Sequence, residues 1–168
     1  MSLVIWINGA FSAGKSTVAD ALNDLLRPSF VLDPEDVGTL VCRVLPREIQ
    51  MPDYQDIPLW RLVTRESVIA AARGFDGAVV VPMTVVEHFD ELIGSLREQV
   101  RVEHFTLLAS AETLEARHSQ RSDGDDWARS QWPRCRQLAA DRFARHVTID
   151  GRDPREIAIE IAELAGAT

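Results

Sequence analysis

The sequence predicts an α/β fold in which helices cover both faces of a parallel β-sheet. Three observations lead to this prediction. Short apolar runs alternate with helical patterns along most of the 168 residues. A glycine-rich turn joins the first apolar run to the first helical pattern. The hydrophobic content of 46% and the charged content of 26% are those of an ordinary globular protein, and we expect one domain over residues 1–168.

The strands and helices follow from the hydrophobic period of each segment. In the first helix, one apolar stripe contains Val18, Leu22, Leu25 and Leu26, and the pattern stops before Pro28. Apolar runs predict strands at about 3–8, 29–33, 78–83, 102–109 and 146–150. Helical patterns lie at about 15–27, 34–74 with a break near 50–58, 86–99, 111–121, 128–144 and 154–166.

Charge, hydropathy and cysteine content argue against several classes of protein. The net charge of −8 argues against nucleic-acid binding, which needs a basic face. The longest apolar run, 77–86, contains Pro82 and is too short to span a bilayer. No signal-peptide pattern precedes the first strand, and Cys42 and Cys135 form no C-x-x-C pair. We therefore expect a protein of the reducing cytoplasm.

The turn after the first strand matches the phosphate-binding Walker A pattern in full, as Gly9-Ala10-Phe11-Ser12-Ala13-Gly14-Lys15-Ser16 followed by Thr17. A predicted strand precedes it and a predicted helix follows, which is the context that the motif requires. Its glycines allow backbone N–H groups to face phosphate oxygens, and the helix N-terminus adds positive potential. We predict that 9–17 binds ATP, with Lys15 at the β- and γ-phosphates and Ser16 on Mg²⁺.

Lys15 is the only lysine among the 18 Lys and Arg residues of the chain. The strong preference for arginine elsewhere is a compositional bias, so a lysine inside this motif indicates a chemical requirement. The compact ammonium of lysine and the planar fork of arginine differ in size and geometry. We therefore expect Lys15 to be catalytic as well as nucleotide-binding.

The predicted second strand ends in "VLDPED", which places Asp33, Glu35 and Asp36 at the ligand-binding edge of a parallel sheet. No carboxylate ends the predicted third or fourth strand, so a metal-side carboxylate must come from elsewhere. Asp33 would take a proton from an acceptor hydroxyl or hold Mg²⁺ through water, and Asp36 is the candidate on the metal side. Asp33 before Pro34 is also a typical helix N-cap, and the two interpretations are compatible.

Arg117 and Arg121 lie four residues apart on one predicted helical face, beside a turn-rich segment. An arginine-bearing lid over about 117–136 would close on a γ-phosphate and exclude water. The alternative is a solvated helix face. Trp127 and Trp132 flank the segment and either belong to the core or face an apolar acceptor.

The chain resembles the tunicamycin-resistance proteins, a branch of the small P-loop kinases, along most of its length. The matching stretches are "IWINGAFSAGKS" at 5–16, "DPED" at 33–36, "PREI" at 46–49, "QDIPLWR" at 55–61, "VVPMT" at 80–84 and "HFTLLASAETLEAR" at 104–117. The resemblance implies a three-layer P-loop NTPase fold with sheet order 2-3-1-4-5, ATP on 9–16, and a small-molecule pocket across the strand ends. It also implies a catalytic carboxylate after the second strand, which corresponds to Asp33.

The resemblance suggests a tunicamycin-like nucleoside as the acceptor, and residues of the matching stretches to bind it. Trp60, Met83 and Thr84 would line the pocket, and Arg61 would contact a polar or anionic part. The alternative for Trp60 and Met83 is an ordinary place in the core. Asp56 before Pro58 either belongs to this region or only caps a helix.

The last predicted helix argues against stable membrane association, although family members can carry a basic membrane-binding tail. Ile157, Ile161 and Leu164 form its apolar face, and the opposite face is acidic, with Glu156, Glu160 and Glu163. An acidic face does not suit an anionic bilayer, so we expect a helix docked on the core.

Three hypotheses about function remain open from the sequence. The first is transfer of the ATP γ-phosphoryl group to a hydroxyl of a tunicamycin-like molecule. The second is ATP-dependent sequestration of the antibiotic without chemistry. The third is a nucleoside or sugar kinase with another substrate.

Overall fold

The structure, a computed structural model, describes residues 2–120 and 126–167. Its five strands form one parallel sheet in the order β2-β3-β1-β4-β5, which confirms the predicted topology. The strands are β1 (Leu3–Gly9), β2 (Ser29–Val31), β3 (Ala78–Pro82), β4 (Arg101–Leu108) and β5 (His146–Thr148). Because β1 lies in the middle, the turn that follows it opens at the centre of the strand-end edge.

The helices lie between the strands, as the alternating pattern predicts. They are α1 (Lys15–Leu25), α2 (Pro34–Val44), α3 (Pro58–Gly74), α4 (Ser95–Arg97), α5 (Ala111–Ser119), α6 (Asp126–Ser130), α7 (Trp132–Cys135) and α8 (Pro154–Leu164). A π-helical turn, Asp90–Gly94, leads into α4, and short 3₁₀ turns occupy Arg47–Ile49, Tyr54–Asp56, Arg136–Ala139 and Asp141–Phe143.

Two hydrophobic clusters fill the space on either side of the sheet. On one face, Ile5 and Ile7 of β1 pack with α1 and α8. On the other face, Val4 and Trp6 pack with α3 and with the segment that follows β3. The alternation of β1 side chains between two buried faces explains why its sequence is apolar throughout.

Two predicted helices are shorter than their apolar patterns indicate. The helix predicted over 86–99 starts only near residue 89, and the N–H groups of Val85 and Val86 bond to the buried side chains of Asn8 and Gln55. The helix predicted over 128–144 is divided into short pieces. Pro133 lies in the first turn of α7, a position where its missing N–H costs no helical hydrogen bond.

The last helix docks on the core as predicted, with one difference. Ile157 and Ile161 are buried against α1, but Leu164 is 46% exposed near the helix end. Ala158 and Ala162 occupy the buried stripe beside the isoleucines instead. Within 2–120 and 126–167, no helix is both long and apolar enough to cross a membrane.

Candidate active site

The Walker A turn is built from unusual backbone conformations at three positions. Gly9, Ser12 and Gly14 have φ values of 151°, 68° and 86°. Gly14 is the residue before α1, so the first N–H groups of the helix lack intrahelical partners and point into the turn. An anion placed there would meet these donors and the positive end of the helix dipole. The geometry therefore fits a nucleotide phosphate.

A buried asparagine that the motif does not include holds this turn in place. Asn8 is fully buried, and its Oδ1 accepts the N–H groups of Gly9 at 2.8 Å and Val85 at 3.0 Å. Its Nδ2 donates to the carbonyl oxygen of Val85 at 2.8 Å. Thr84 also stabilises the turn, because its Oγ1 donates a hydrogen bond of 2.7 Å to the carbonyl oxygen of Gly9. These two side chains fasten the turn to the segment after β3.

His104 lies behind Asn8 as a neutral imidazole. Its Nε2 is 3.3 Å from Nδ2 of Asn8, and its Nδ1 is 3.4 Å from the carbonyl oxygen of Ala144. Burial lowers the pKa of His104 to about 4, although the contact with Ala144 acts in the opposite direction. Since Asn8 donates to Nε2, the proton is on Nδ1, which donates to Ala144.

Lys15 lies inside the turn, as the motif predicts. Its Nζ donates to the carbonyl oxygen of Ala10 at 3.1 Å and is 5.3 Å from the ring centroid of Phe11. Trp132 supports the same loop, because its Nε1 donates to the carbonyl oxygen of Phe11 at 3.1 Å. Trp132 therefore positions the loop and does not line the acceptor cavity described below.

Asp33 is an N-cap of α2, with its Oδ1 accepting the N–H of Glu35 at 2.9 Å. Burial raises the pKa of Asp33 above its usual value, and the negative charge of Asp36 adds to this shift. The hydrogen bond from Glu35 and the positive charge of Lys15 counteract it. A raised pKa is what a carboxylate needs to accept a proton from a hydroxyl near neutral pH. The cap is thus present, and the role of proton acceptor stays a prediction.

Arg117 lies on the nucleotide side of the turn. Its Nη1 donates to the carbonyl oxygen of Ala13 at 2.8 Å. A Cβ added at Gly14 would lie only 2.7 Å from this nitrogen, so the glycine allows the guanidinium to reach the backbone. Arg117, Gln120 and Pro154 border a cleft of about 380 Å³ beside the loop. Arg121, the second predicted lid residue, lies outside the described residues.

A separate cavity of about 460 Å³ runs from Lys15 to a wall formed by other segments. Tyr54, Met83 and Trp127 are on that wall, and Glu35 and Asp53 add two carboxylates. The ring of Trp127 contacts Phe11 edge-on, with 5.0 Å between centroids. The remaining lining residues are Phe11, Ser12, Gly14, Ser16, Thr17, Pro52, Pro82 and Ala128.

The predicted substrate-binding residues are Asp33, Trp60, Arg61, Met83 and Thr84, and of these five the structure brings only Met83 to this cavity. Trp60 is fully buried in the core, and its Nε1 donates to the carbonyl oxygen of Pro34 at 2.9 Å. Arg61 forms an ion pair of 2.8 Å with Glu91 and donates to a backbone carbonyl of the 3₁₀ turn. Thr84 lies beneath the Walker A turn. The packing of α3 places Trp60 and Arg61, and a hydrogen bond to Gly9 places Thr84; no local sequence pattern specifies these contacts.

The cavity also contains a residue that sequence reasoning left unassigned. Asp53 is 7% exposed, and its Oδ2 accepts a hydrogen bond of 2.7 Å from Arg134. Its Oδ1 accepts the N–H of Gln55 at 3.0 Å and so caps the 3₁₀ turn. The Asp-x-Gln spacing beside Pro52 signals such a turn, but nothing local indicates Arg134, which is 81 residues away.

The donor atoms near the loop suit Mg²⁺ bound together with a nucleotide. Ser16 and Asp36 are both exposed and offer hydroxyl and carboxylate oxygens, which are hard ligands. Within the described ranges, no group of three or more His, Cys, Asp or Glu residues forms an all-protein metal site. Mg²⁺ commonly binds through one or two protein oxygens plus substrate phosphates, so binding here would not require an all-protein cluster. Ser16 and Asp36 remain the predicted metal-side residues.

Comparison with known proteins gives both a family match and structural matches. A family model described as an AAA domain matches residues 4–146. The tunicamycin resistance protein of Deinococcus radiodurans is 27% identical, with a TM-score of 0.83 over 98% of this chain and 96% of that one. This similarity confirms the resemblance found in the sequence motifs. No curated protein sequence matches the chain.

Two kinases share the fold at lower identity. A sugar kinase from Janibacter sp. HTCC2649 is 16% identical, with a TM-score of 0.72 over 100% of this chain and 96% of that one. A gluconokinase from Sinorhizobium meliloti 1021 is 18% identical, with a TM-score of 0.69 over 97% and 93%. At these identities the matches establish a P-loop kinase-like fold.

Proposed function

Since this chain belongs to the AAA domain family and has a P-loop kinase-like fold, we propose that it transfers the γ-phosphoryl group of ATP to a hydroxyl of a small molecule. One observation carries the proposal. The cavity that contains Lys15 and Ser16 at one end continues to Tyr54, Met83 and Trp127 at the other. A phosphate on the loop and an acceptor on the wall would therefore share one space, which is what in-line transfer requires.

Each candidate residue has a distinct role in the proposed phosphoryl transfer. Asp33 takes the proton of the acceptor hydroxyl, whose oxygen forms a bond to the γ-phosphorus. The bond from that phosphorus to the β–γ bridging oxygen breaks, and ADP leaves with the electron pair. Lys15 and Arg117 stabilise negative charge on the phosphates, and Mg²⁺ held by Ser16 and Asp36 would neutralise more of it.

The proposed acceptor is a tunicamycin-like nucleoside. Support comes from the similarity to a tunicamycin resistance protein and from the aromatic and apolar side chains on the wall. Tyr54 and Trp127 offer ring faces and edges against which a planar base would pack. Met83 adds an adaptable apolar contact.

Sequestration of the same ligand without chemistry is the second candidate, and one observation favours it. Asp33 is not among the side chains that line the cavity, and its Oδ1 is already engaged by the N–H of Glu35. A protein that only closes over its ligand needs no proton acceptor there.

Mass spectrometry of tunicamycin after incubation with protein, ATP and Mg²⁺ distinguishes the two candidates. We expect the mass of one added phosphate, dependent on Lys15. Tunicamycin that is retained on the protein but unmodified would establish sequestration. If tunicamycin is neither modified nor retained, it is not the ligand of this protein.

A further inference from the structure

The acceptor half of the cavity is lined by negative charge, which does not suit an anionic acceptor. Of its charged lining residues within 2–120 and 126–167, Lys15 is the only cation and lies at the phosphate end. The other two, Glu35 and Asp53, are carboxylates. No arginine of the described ranges lines the cavity. An anionic acceptor would find no counter-charge away from the loop.

Arg134 stands directly behind this wall, but acidic neighbours bind its guanidinium. Its Nη1 contacts Oδ2 of Asp53 at 2.7 Å, and its Nε lies 2.7 Å from a carboxylate oxygen of Glu87. The same Nη1 donates to the side-chain oxygen of Gln131 at 3.0 Å. Two carboxylates thus face one cation, and the group as a whole carries a net negative charge.

Asp53 cannot easily turn away from the cavity. Gln55 donates to it from both its backbone N–H, at 3.0 Å, and its side-chain Nε2, at 3.2 Å. Gln55 is itself fully buried, and its Oε1 accepts the N–H of Val86 at 3.3 Å. Gln55 and Arg134 therefore hold the carboxylate at the border of the cavity, and Gln55 is in turn fixed by the segment after β3.

We infer that Asp53 determines the charge of the acceptor, so that the cavity accepts neutral or cationic hydroxyl compounds and excludes anionic ones. The inference rests on the proposed function only in assigning this cavity to the acceptor. Because Arg134 is shared between Asp53 and Glu87, the group keeps a net negative charge, and with little solvent around Asp53 it repels an anion more strongly than it would in bulk water. The same carboxylate would accept a hydrogen bond from a hydroxyl or an ammonium group.

Three ligands with one scaffold test this inference: uridine, 5′-amino-5′-deoxyuridine and uridine 5′-monophosphate. Their binding is measured by calorimetry while a non-hydrolysable ATP analogue and Mg²⁺ saturate the nucleotide site. We expect the neutral and cationic compounds to bind and the monophosphate to bind at least tenfold more weakly. Monophosphate binding as tight as that of uridine would overturn the inference, and so would the absence of binding by all three compounds.

Two variants that break the same ion pair form a matched control. Asp53→Asn keeps a side-chain oxygen that accepts the hydrogen bonds of Gln55, but it removes one of the two negative charges next to Arg134. Binding of the monophosphate should therefore strengthen about tenfold relative to that of uridine. Arg134→Gln removes the cation and should leave the monophosphate excluded. If Asp53 acts only as a structural link, the two variants will change selectivity equally and in the same direction. Their melting temperatures show whether each variant is folded.

The test of charge selectivity and the test of phosphotransfer can fail independently of each other. Binding of uridine without any gain of phosphate from ATP would refute phosphotransfer to this scaffold and leave the charge selectivity in place. Phosphorylation of uridine 5′-monophosphate by the wild-type protein would refute the selectivity and support phosphotransfer.

Discussion

The two ends of the cavity are built in different ways. The phosphate end is one continuous turn, 9–17, whose shape depends on glycine conformations and on the start of α1. In the part of the chain that the structure describes, the acceptor end is assembled from four separate segments, at 35, 52–54, 82–83 and 127–128. A site that is made of backbone from one short segment is visible in the sequence. A site that is made of side chains from distant segments is decided by packing.

The two ends also differ in charge. The phosphate end combines Lys15 with a helix N-terminus, and Arg117 contacts the same turn from the neighbouring cleft, in a chain whose net charge is −8. The acceptor end presents Asp53 and Glu35. Variants that affect one end and spare the other therefore test whether the division between phosphate and acceptor is correct.

The largest effect is expected from Asp33→Asn, which removes the proposed proton acceptor. An amide cannot accept the hydroxyl proton, so turnover should fall by about 10²–10⁴. The melting temperature should change little, because Asn caps helices about as well as Asp. Steady-state kinetics with a calorimetric ATP titration checks both, and a fully active variant would move the search to Glu35 or Asp36.

Asp33→Ala is the control for the structural role of the same residue. It removes the cap as well as the carboxylate, and should cost about 0.5–2 kcal/mol of unfolding free energy. Partial recovery of Asp33→Asn turnover at high Mg²⁺ would indicate a metal-side role instead.

Lys15→Ala should disable the phosphate end alone. Removing one preformed donor for developing charge typically lowers kcat by about 10²–10³. Lys15→Arg should also be impaired, because the planar fork does not fit where a compact ammonium lies. Unchanged ATP affinity and unchanged turnover in Lys15→Ala would contradict the assignment of the loop.

Trp127 and Trp60 form a matched pair for the acceptor end. Trp127→Ala should raise the acceptor KM about three- to tenfold, the usual worth of one aromatic contact, with little change in stability. Trp60→Ala should instead cost about 3–5 kcal/mol of unfolding free energy, because Trp60 is a fully buried core residue. Equal effects of both variants on KM would argue against the location of the acceptor wall.

The last prediction concerns the pH dependence of stability at His104, behind the phosphate end. The folded state lowers the pKa of His104 to about 4, so the unfolded chain binds the additional proton first as pH falls. The stability is complete above the unfolded pKa and decreases toward pH 4. Between pH 7 and pH 5, His104 should account for about 2 kcal/mol of lost unfolding free energy. Urea titrations of wild type and His104→Gln at both pH values measure this difference.

The residues that sequence reasoning placed correctly share a local cause. The Walker A turn and the Asp33 cap each depend on neighbours within a few positions, and the strand and helix alternation implies the parallel sheet. The acceptor residues were harder to predict from the sequence. The stretches that resemble the tunicamycin-resistance proteins contain both core and cavity side chains, and sequence alone does not distinguish them. Trp60 and Met83 both come from such stretches, and only Met83 reaches the cavity.

By itself, the sequence determined the fold class, the phosphate loop and the helix that begins at Pro34, because dihedral preferences and hydrophobic period act over a few residues. Only the tertiary structure decided that Asn8 and Thr84 fasten the loop, and that Asp53 meets Arg134 across 81 positions of the chain. Those contacts exist because the parallel sheet brings its strand ends to one edge, where segments remote in sequence pack against one another.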